Sequence, residues 1–305
     1  LEDLSPNRIL VDKEKLGNVI TFKSKVYSSI VGYRAKLEIS RKQDGSINVK
    51  LPSSPVDLPF VVILRALGIE TDKEIAEAVS LRPELQDLLD VSFEKAADSD
   101  TTLNALTYIG NRVAHGMMEE FRLRRAEVVL DWSLLPHLGK QTSDRYNKAM
   151  FIGEAISKLL ELKLGWVEPD DKDHYGNKVI KFAGQMLADL FRTAFRNLTR
   201  DMKYQLERVG QKRGSGVIGA AVRPGIITDK LNNAIATGNW GRGKVGVTQL
   251  LDRTNYLSTV SHLRRVQSPL SRTQPNFEAR DLHATHFGRI CPNETPEGAN
   301  CGLVK

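Results

Sequence analysis

The spacing of hydrophobic and polar positions changes several times along this chain, and each change marks an element. Residues 18–51 alternate: NVITFKSKVY, YRAKLEIS and INVKL are short β-prone runs, and Asp44-Gly45 between the last two is a strong hairpin signal. An antiparallel ribbon is predicted. Pro52, Pro55 and Pro59 then break the chain, and LPFVVILRALG (58–68) is an apolar run whose length and closing Gly68 favour a helix. Helical spacing dominates from 71 to 164. Thr71 stands three residues before Glu74 in a capping-box-like start, and Ile75, Val79, Leu85, Leu88 and Leu89 mark apolar faces. Helices are predicted over 100–114 and 118–130. The cleanest amphipathic pattern is 143–164, through Tyr146, Met150, Ile152, Ile156, Leu159 and Leu160.

The acidic, turn-rich stretch WVEPDDKDHYGNK (166–178) predicts a domain boundary. Beyond it, 179–208 predicts a long helix with Phe182, Leu187, Leu190, Phe191, Phe195 and Leu198 toward a core. Residues 247–305 have few long apolar runs. Pro269, Pro275, Pro292, Pro296, Gly298 and Gly302 set turns there, so ordered loops are predicted. The fold class is α+β, in a multi-domain chain: a helix-rich part with an antiparallel β-ribbon, a long helix and a loop-rich C-terminal segment.

Composition narrows the class. With 41% hydrophobic and 27% charged residues over 305 positions, the chain reads as globular, with about two domains. No run of about 18 apolar residues exists, and LEDLSPNRIL lacks a signal-peptide pattern, so a soluble cytoplasmic protein with no membrane partner is expected. Two cysteines, Cys291 and Cys301, make no disulfide framework. Charge is unevenly divided. Residues 1–180 carry 25 Lys+Arg against 28 Asp+Glu, whereas residues 181–305 carry 19 against 9, so a polyanion partner is expected for the C-terminal part alone.

Candidate chemistry concentrates in that part. Arg242, Lys244, Arg253, Arg264, Arg265, Arg272, Arg280 and Arg289 are interleaved with Asn, Gln, Thr and Ser, a mixture suited to phosphate and sugar oxygens. Arg192, Arg196, Arg200 and Lys203 form one stripe on the long helix, while Arg122, Arg124 and Arg125, flanked by Glu119, Glu120 and Glu127, predict a salt-bridged outer face. Gly238 to Lys244 (GNWGRGK) satisfies seven positions of a phosphate-binding loop, but Val245 stands where Ser or Thr must reach magnesium. His283, His286, Cys291 and Cys301 lack zinc-finger spacing, and Asp170, Asp171, Asp173 and His174 lack the ligand pattern of a calcium loop. No catalytic residues, metal ligands or bound cofactor are assigned to this chain.

SHLRR (261–265), RDLHATHFGRICP (280–292) and ETPEGANCGLVK (294–305), in that order, resemble the fork region of the second-largest subunit of cellular DNA-dependent RNA polymerase. DLPFVVILRALGI (57–69), DKDHYGNKVIKFAGQMLADLF (171–191) and NNAIATGNWG (232–241) extend the likeness more thinly, and the compact loops between 209 and 247 look archaeal. The resemblance implies the end of a first protrusion segment at 1–17, a lobe at 18–172, a second protrusion segment at 173–227 and the fork at 228–305. It implies a fragment, or most of one half of a split subunit, of a nucleotidyltransferase whose Mg2+ is held by the largest subunit's NADFDGD motif, absent here. The fragment alone is expected to be inactive. Implied partners are the largest and other polymerase subunits, template and downstream DNA and the RNA–DNA hybrid. Gln249, Arg264, Arg265, Pro296, Glu297 and Asn300 match positions lining or supporting the channel beside the RNA 3′ end, Arg242 and Lys244 the first fork loop, and Arg272 the loop facing downstream DNA. Arg264 and Arg265, adjacent in extended chain, are expected to point to opposite sides, one anchored by Asp252 or Glu278. Two other readings are a free-standing nucleic-acid-binding module and an NTP-binding enzyme using the 238–244 loop.

Overall fold

A computed structural model describes residues 1–17, 19–30, 33–52, 54, 56–211, 218–241 and 245–305. The chain divides into two compact units, one of Ser5–Asp171 and one of Leu1–Leu4 with Lys172–Lys305. It opens with a short strand, β1 (Glu2–Leu4), of the second unit.

In the unit 5–171, β2 (Ile9–Leu16), β3 (Val19–Ile30), β4 (Tyr33–Arg41), β5 (Ile47–Lys50) and β6 (Leu58–Pro59) form an antiparallel sheet in sequence order. The ribbon therefore begins earlier than residue 18. Ile9 pairs with Val26 and Leu16 with Val19, a hairpin that the charged run DKEK in β2 hides from a hydrophobicity reading. The acids of that run line one face in rungs with the lysines of β3: Lys23 meets Glu14 at 2.7 Å and Glu38 at 3.1 Å, and hydrogen bonds from Lys23 and Lys25 hold the Glu14 carboxyl down at about 2. The other face buries Val26, Leu37, Ile39, Ile47 and Val49. Asp44-Gly45 makes the expected turn. Gly45 has φ +91° and Asp44 Oδ1 accepts from Ser46 N at 2.9 Å.

Against that face lies α1 (Phe60–Ala66), buried at every residue. Its one charge, Arg65, donates to Ala96 O (2.8 Å), Ser99 O (3.0 Å) and Asp72 Oδ1 (2.7 Å), which compensates for leaving water. Next come α2 (Asp72–Val79), the short α3 (Pro83–Gln86) and α4 (Asp90–Glu94), then α5 (Thr102–Val113), α6 (Glu119–Val128) and α7 (Arg145–Leu164). Thr71 caps α2 as expected, its hydroxyl accepting from Glu74 N at 3.3 Å. Thr71→Ala should therefore cost about 1 kcal/mol, read as a lower urea midpoint; an unchanged midpoint contradicts a working cap.

Two readings in this unit need correction. The α6 arginines are not salt-bridged: among the described residues Arg122, Arg124 and Arg125 make no ion pair, and Arg122 instead donates to Asn111 Oδ1. The second concerns the apolar positions of α7, the cleanest amphipathic pattern, which do not all face a core. Ala149, Ile152, Gly153, Ala155, Ile156, Leu159, Leu160 and Leu162 are buried on several sides, because the sheet and α2 both pack against it, while Tyr146 and Met150 are exposed.

In the second unit β1 pairs antiparallel with β7 (Lys178–Ile180), Glu2 opposite Ile180. The long α8 (Ala183–Gln211) packs with α9 (Ile218–Ala221) and α10 (Gly225–Thr237), and α11 (Tyr256–Arg264) and α12 (Phe277–Arg280) punctuate the loops that follow. The expected core face of α8 is largely exposed: Leu190 and Ala194 are buried, but Phe182 is 70% and Phe195 53% exposed. Ala221 of α9 and Ala234 of α10 are buried as well, while Phe191 and Phe195 stack on each other at 6.2 Å in exposed positions.

Candidate nucleic-acid interface

The loop-rich segment starts where α10 stops. Gly238, at φ +70°, caps α10, and a Cβ there would lie 2.6 Å from Thr248 O, so only glycine permits this closure. Val247 N donates back to Gly238 O at 3.1 Å and Trp240 Nε1 to Thr248 Oγ1 at 2.8 Å. Arg242 and Lys244 lie outside the described residues. The loop also lacks the setting of a nucleotide-binding loop. It follows a helix where such a loop follows a strand, and residues 245–255 form no helix to receive phosphates.

Asn255 caps α11, its Oδ1 accepting from Ser258 N at 2.7 Å. Asp252 Oδ1 accepts from Thr254 N (2.9 Å) and Oγ1 (2.7 Å), bonds that hold its carboxyl below the ordinary range, helped by the charge of Arg265. His262 Nδ1 accepts from Asp252 N at 3.0 Å, which leaves the ring proton on Nε2 to donate to Gln249 Oε1 at 3.0 Å. Gln249 Nε2 in turn donates to Gly246 O at 2.9 Å and, more weakly, to Gln267 Oε1 at 3.4 Å. The Gln249 amide is thus the middle of an internal relay.

Arg264 does not sit in extended chain, and Arg265 is the first extended residue after the helix. Helix α11 runs through Arg264, and Arg265 is its C-cap, because Asn255 starts a helix that SHLR continues. Both are exposed, and neither makes an ion pair with Asp252 or Glu278 among the described residues. Chain 266–268 then pairs with 303–305: Val266 N donates to Lys305 O (2.7 Å), Lys305 N to Val266 O (2.8 Å) and Ser268 N to Leu303 O (2.8 Å). Thr295 fastens the same end, donating to Val304 O at 2.9 Å and accepting from Gly302 N at 2.8 Å. Pro296 is half-buried, Glu297 is exposed, and Asn300 closes the short turn Gly298–Asn300. The Asn300 Oδ1 atom is buried and finds no hydrogen-bond partner among the described residues.

Side-chain hydrogen bonding sorts the cations. Arg253, Arg264, Arg265 and Arg272 are exposed and, among the described residues, free of ion pairs. The half-buried Arg280 and the exposed Arg289 instead donate to backbone carbonyls, Arg289 Nη1 to Thr285 O at 2.9 Å. The α8 stripe is partly neutralised, since Arg192 meets Asp189 at 3.2 Å and Lys203 meets Glu207 at 3.9 Å.

One cluster had no local sequence signal. Buried Glu2 accepts from Tyr175 Oη (3.0 Å) and Lys178 Nζ (2.7 Å), and Lys178 also reaches Asp173 at 3.3 Å. Burial alone would raise the Glu2 carboxyl, but Lys178, Lys305 and Tyr175 together hold it below its ordinary value. Burial and Glu2 push the Tyr175 phenol up, while burial with Lys305 and Lys178 pushes His286 down. His286 packs edge-on to the Tyr175 ring at 4.7 Å. These groups bind the chain's start, the 172–181 stretch and the HATH segment together. His283 bonds Thr285 at 2.7 Å, Cys291 and Cys301 are exposed free thiols, and no group of three or more metal-ligating side chains occurs among the described residues.

Comparison with known proteins places both units. Residues 5–181 match the family described as RNA polymerase Rpb2, domain 2, and residues 249–305 match RNA polymerase Rpb2, domain 3. The class is therefore that of multisubunit RNA polymerase subunits. Over 304 residues the chain is 52% identical to DNA-directed RNA polymerase subunit Rpo2 of Saccharolobus shibatae, covering all of this chain and 27% of that protein. It is 49% identical over 307 residues to subunit Rpo2N of Methanococcus vannielii, of which it covers 62%, and 47% identical over 309 residues to Rpo2N of Halobacterium salinarum, of which it covers 59%. The chain belongs to the Rpb2 family, the second-largest subunit of RNA polymerase, in its archaeal type. It spans between about a quarter and three fifths of these relatives' length.

Proposed function

We propose that this chain is a non-catalytic wall of the nucleic-acid cleft of a cytoplasmic DNA-directed RNA polymerase, assembled with the largest and other subunits. The unit 5–171 acts as the lobe, with 9–16 counted in it because they complete its sheet. Residues 173–227 act as a protrusion segment. Residues 228–305 act as the fork beside template, downstream DNA and the RNA–DNA hybrid. The observation that carries this reading is the group of four exposed arginines, Arg253, Arg264, Arg265 and Arg272, whose guanidinium groups make neither an ion pair nor a hydrogen bond among the described residues. Arg272 is assigned to downstream DNA, and Gln249, Arg264, Arg265, Pro296, Glu297 and Asn300 line or support the channel beside the RNA 3′ end. Arg242 and Lys244 keep their proposed place in the first fork loop on charge alone.

The carboxylates here do not fit the magnesium of the reaction. Asp252 binds Thr254, Asp281 caps Leu282 N at 2.8 Å and Glu294 accepts from Ser261, and no group of three or more metal-ligating side chains occurs among the described residues. No step of nucleotidyl transfer is routed through this chain, and Mg2+ is assigned to the largest subunit.

In a reconstituted polymerase, Arg272→Ala should loosen downstream DNA by about fivefold to tenfold and reduce the slope of log affinity against log salt by about 0.9, one phosphate's worth. Glu297→Ala should alter elongation rate or fidelity with DNA affinity unchanged, since a carboxylate repels phosphate and serves better to accept from a base or hydroxyl. Unchanged affinity, slope and elongation in both variants would remove these assignments.

A further inference from the structure

We propose that Arg280 is a positioning residue, a clasp that holds the 272–274 loop and the 299–301 turn as one rigid body. Its Nη1 donates to Ala299 O and Cys301 O, both at 2.9 Å, and its Nη2 to Arg272 O at 3.1 Å and Gln274 O at 3.5 Å. Four carbonyls from two separate loops thus converge on one guanidinium. Among the described residues no other hydrogen bond joins 269–276 to 294–302. By residue type Arg280 counts among the phosphate-seeking cations of the fork, but its η nitrogens point at backbone and leave little for an anion.

Backbone packing supports the clasp from behind. Gly302, at φ +71°, lies so close that a Cβ would stand 2.2 Å from Arg280 O. The turn that Arg280 holds by its side chain therefore also rests on Arg280's main chain. The planar fork is what the task needs. A lysine ammonium is a single point of donors, and it cannot reach carbonyls spread around the edge of a planar guanidinium. The functional consequence rests on the reading that Arg272 and the 297–300 turn face nucleic acid: Arg280 fixes their spacing without touching the ligand.

Two measurements on the reconstituted polymerase test this. In hydrogen exchange without nucleic acid, Arg280→Ala should speed exchange about tenfold in peptides covering 270–276 and 298–304 together, and Arg272→Ala in neither. Arg280→Lys keeps charge and stem, so it should fold, and it should loosen the same two stretches by a smaller factor. Faster exchange in one stretch only, or in neither, overturns the clasp. In salt titrations of DNA binding, Arg272→Ala, Arg280→Ala and the double variant should each reduce the slope by about 0.9, and Arg280→Lys should reduce it despite keeping its charge. A double variant losing about 1.8, with Arg280→Lys unchanged, makes Arg280 a phosphate contact and overturns the proposal. Coupled exchange with no slope change for Arg272→Ala supports the clasp and refutes instead the reading of Arg272 as a DNA contact.

Discussion

Lys148→Ala should destabilise the unit 5–171 by about 3–5 kcal/mol, the largest effect expected from a single polar position. Lys148 is completely buried on α7, and its ammonium donates to Leu130 O at 2.9 Å and Asp131 O at 2.7 Å. Those carbonyls belong to a π-helical turn, Val129–Ser133, that ends the α6 segment. Truncation removes their donor and leaves a cavity where the stem lay. Lys148→Met refills most of the volume and should cost less, about 1–3 kcal/mol, which is the price of the two unpaired carbonyls. Burial pushes Lys148 down to about 8, with Asp131 and Asp144 opposing the shift. Between that value and its ordinary 10.5 the unfolded chain binds more protons than the folded one, so this group's contribution to stability rises with pH across that window. The gap between wild type and Lys148→Met should therefore widen by up to about 3 kcal/mol from pH 7 to pH 10.5, measured by urea unfolding. A gap that stays flat or narrows contradicts a charged, desolvated Lys148.

Gly153→Ala should lower stability by about 2–3 kcal/mol, reversing the sign that helix propensity alone predicts. Alanine in place of a mid-helix glycine ordinarily stabilises by about 1 kcal/mol. Here a Cβ would stand 2.1 Å from Ala78 O and 2.8 Å from the Ala78 carbonyl carbon. Both atoms are main chain of α2, so no side chain can swing away, and α2 must separate from α7. The transition midpoint of this unit should fall by about 4–12 °C in calorimetry. A raised midpoint would falsify the close α2–α7 packing.

Much of the fold was legible in short stretches. The Asp44-Gly45 hairpin, the Thr71 cap and the helices near 58–68, 100–114, 118–130 and 143–164 follow from turn chemistry, capping and periodicity, which act over a few residues. The β2 strand was missed because its outward side chains are charged and gain their partners only from β3 and β4. The site was legible as residue types and motif order rather than as geometry. The fork motifs identified the family, yet nothing near Arg280 distinguishes it from Arg272, although one faces four carbonyls and the other solvent.

By itself, then, the sequence determined the α+β class, the family, the concentration of positive charge after residue 180 and most helix positions, since each depends on composition or on neighbours within a turn or two. Tertiary structure alone decided which faces and charges are used. Glu2 and Lys178 are 176 positions apart and form a buried pair only because β1 lies beside β7. Lys148 looks like a surface lysine until α7 is enclosed, and the phenylalanines of α8 look like core, yet Leu190 and Ala194 are the residues buried there. Burial and pairing depend on which distant segments share a space, and a hydrophobic period along one segment carries no record of that.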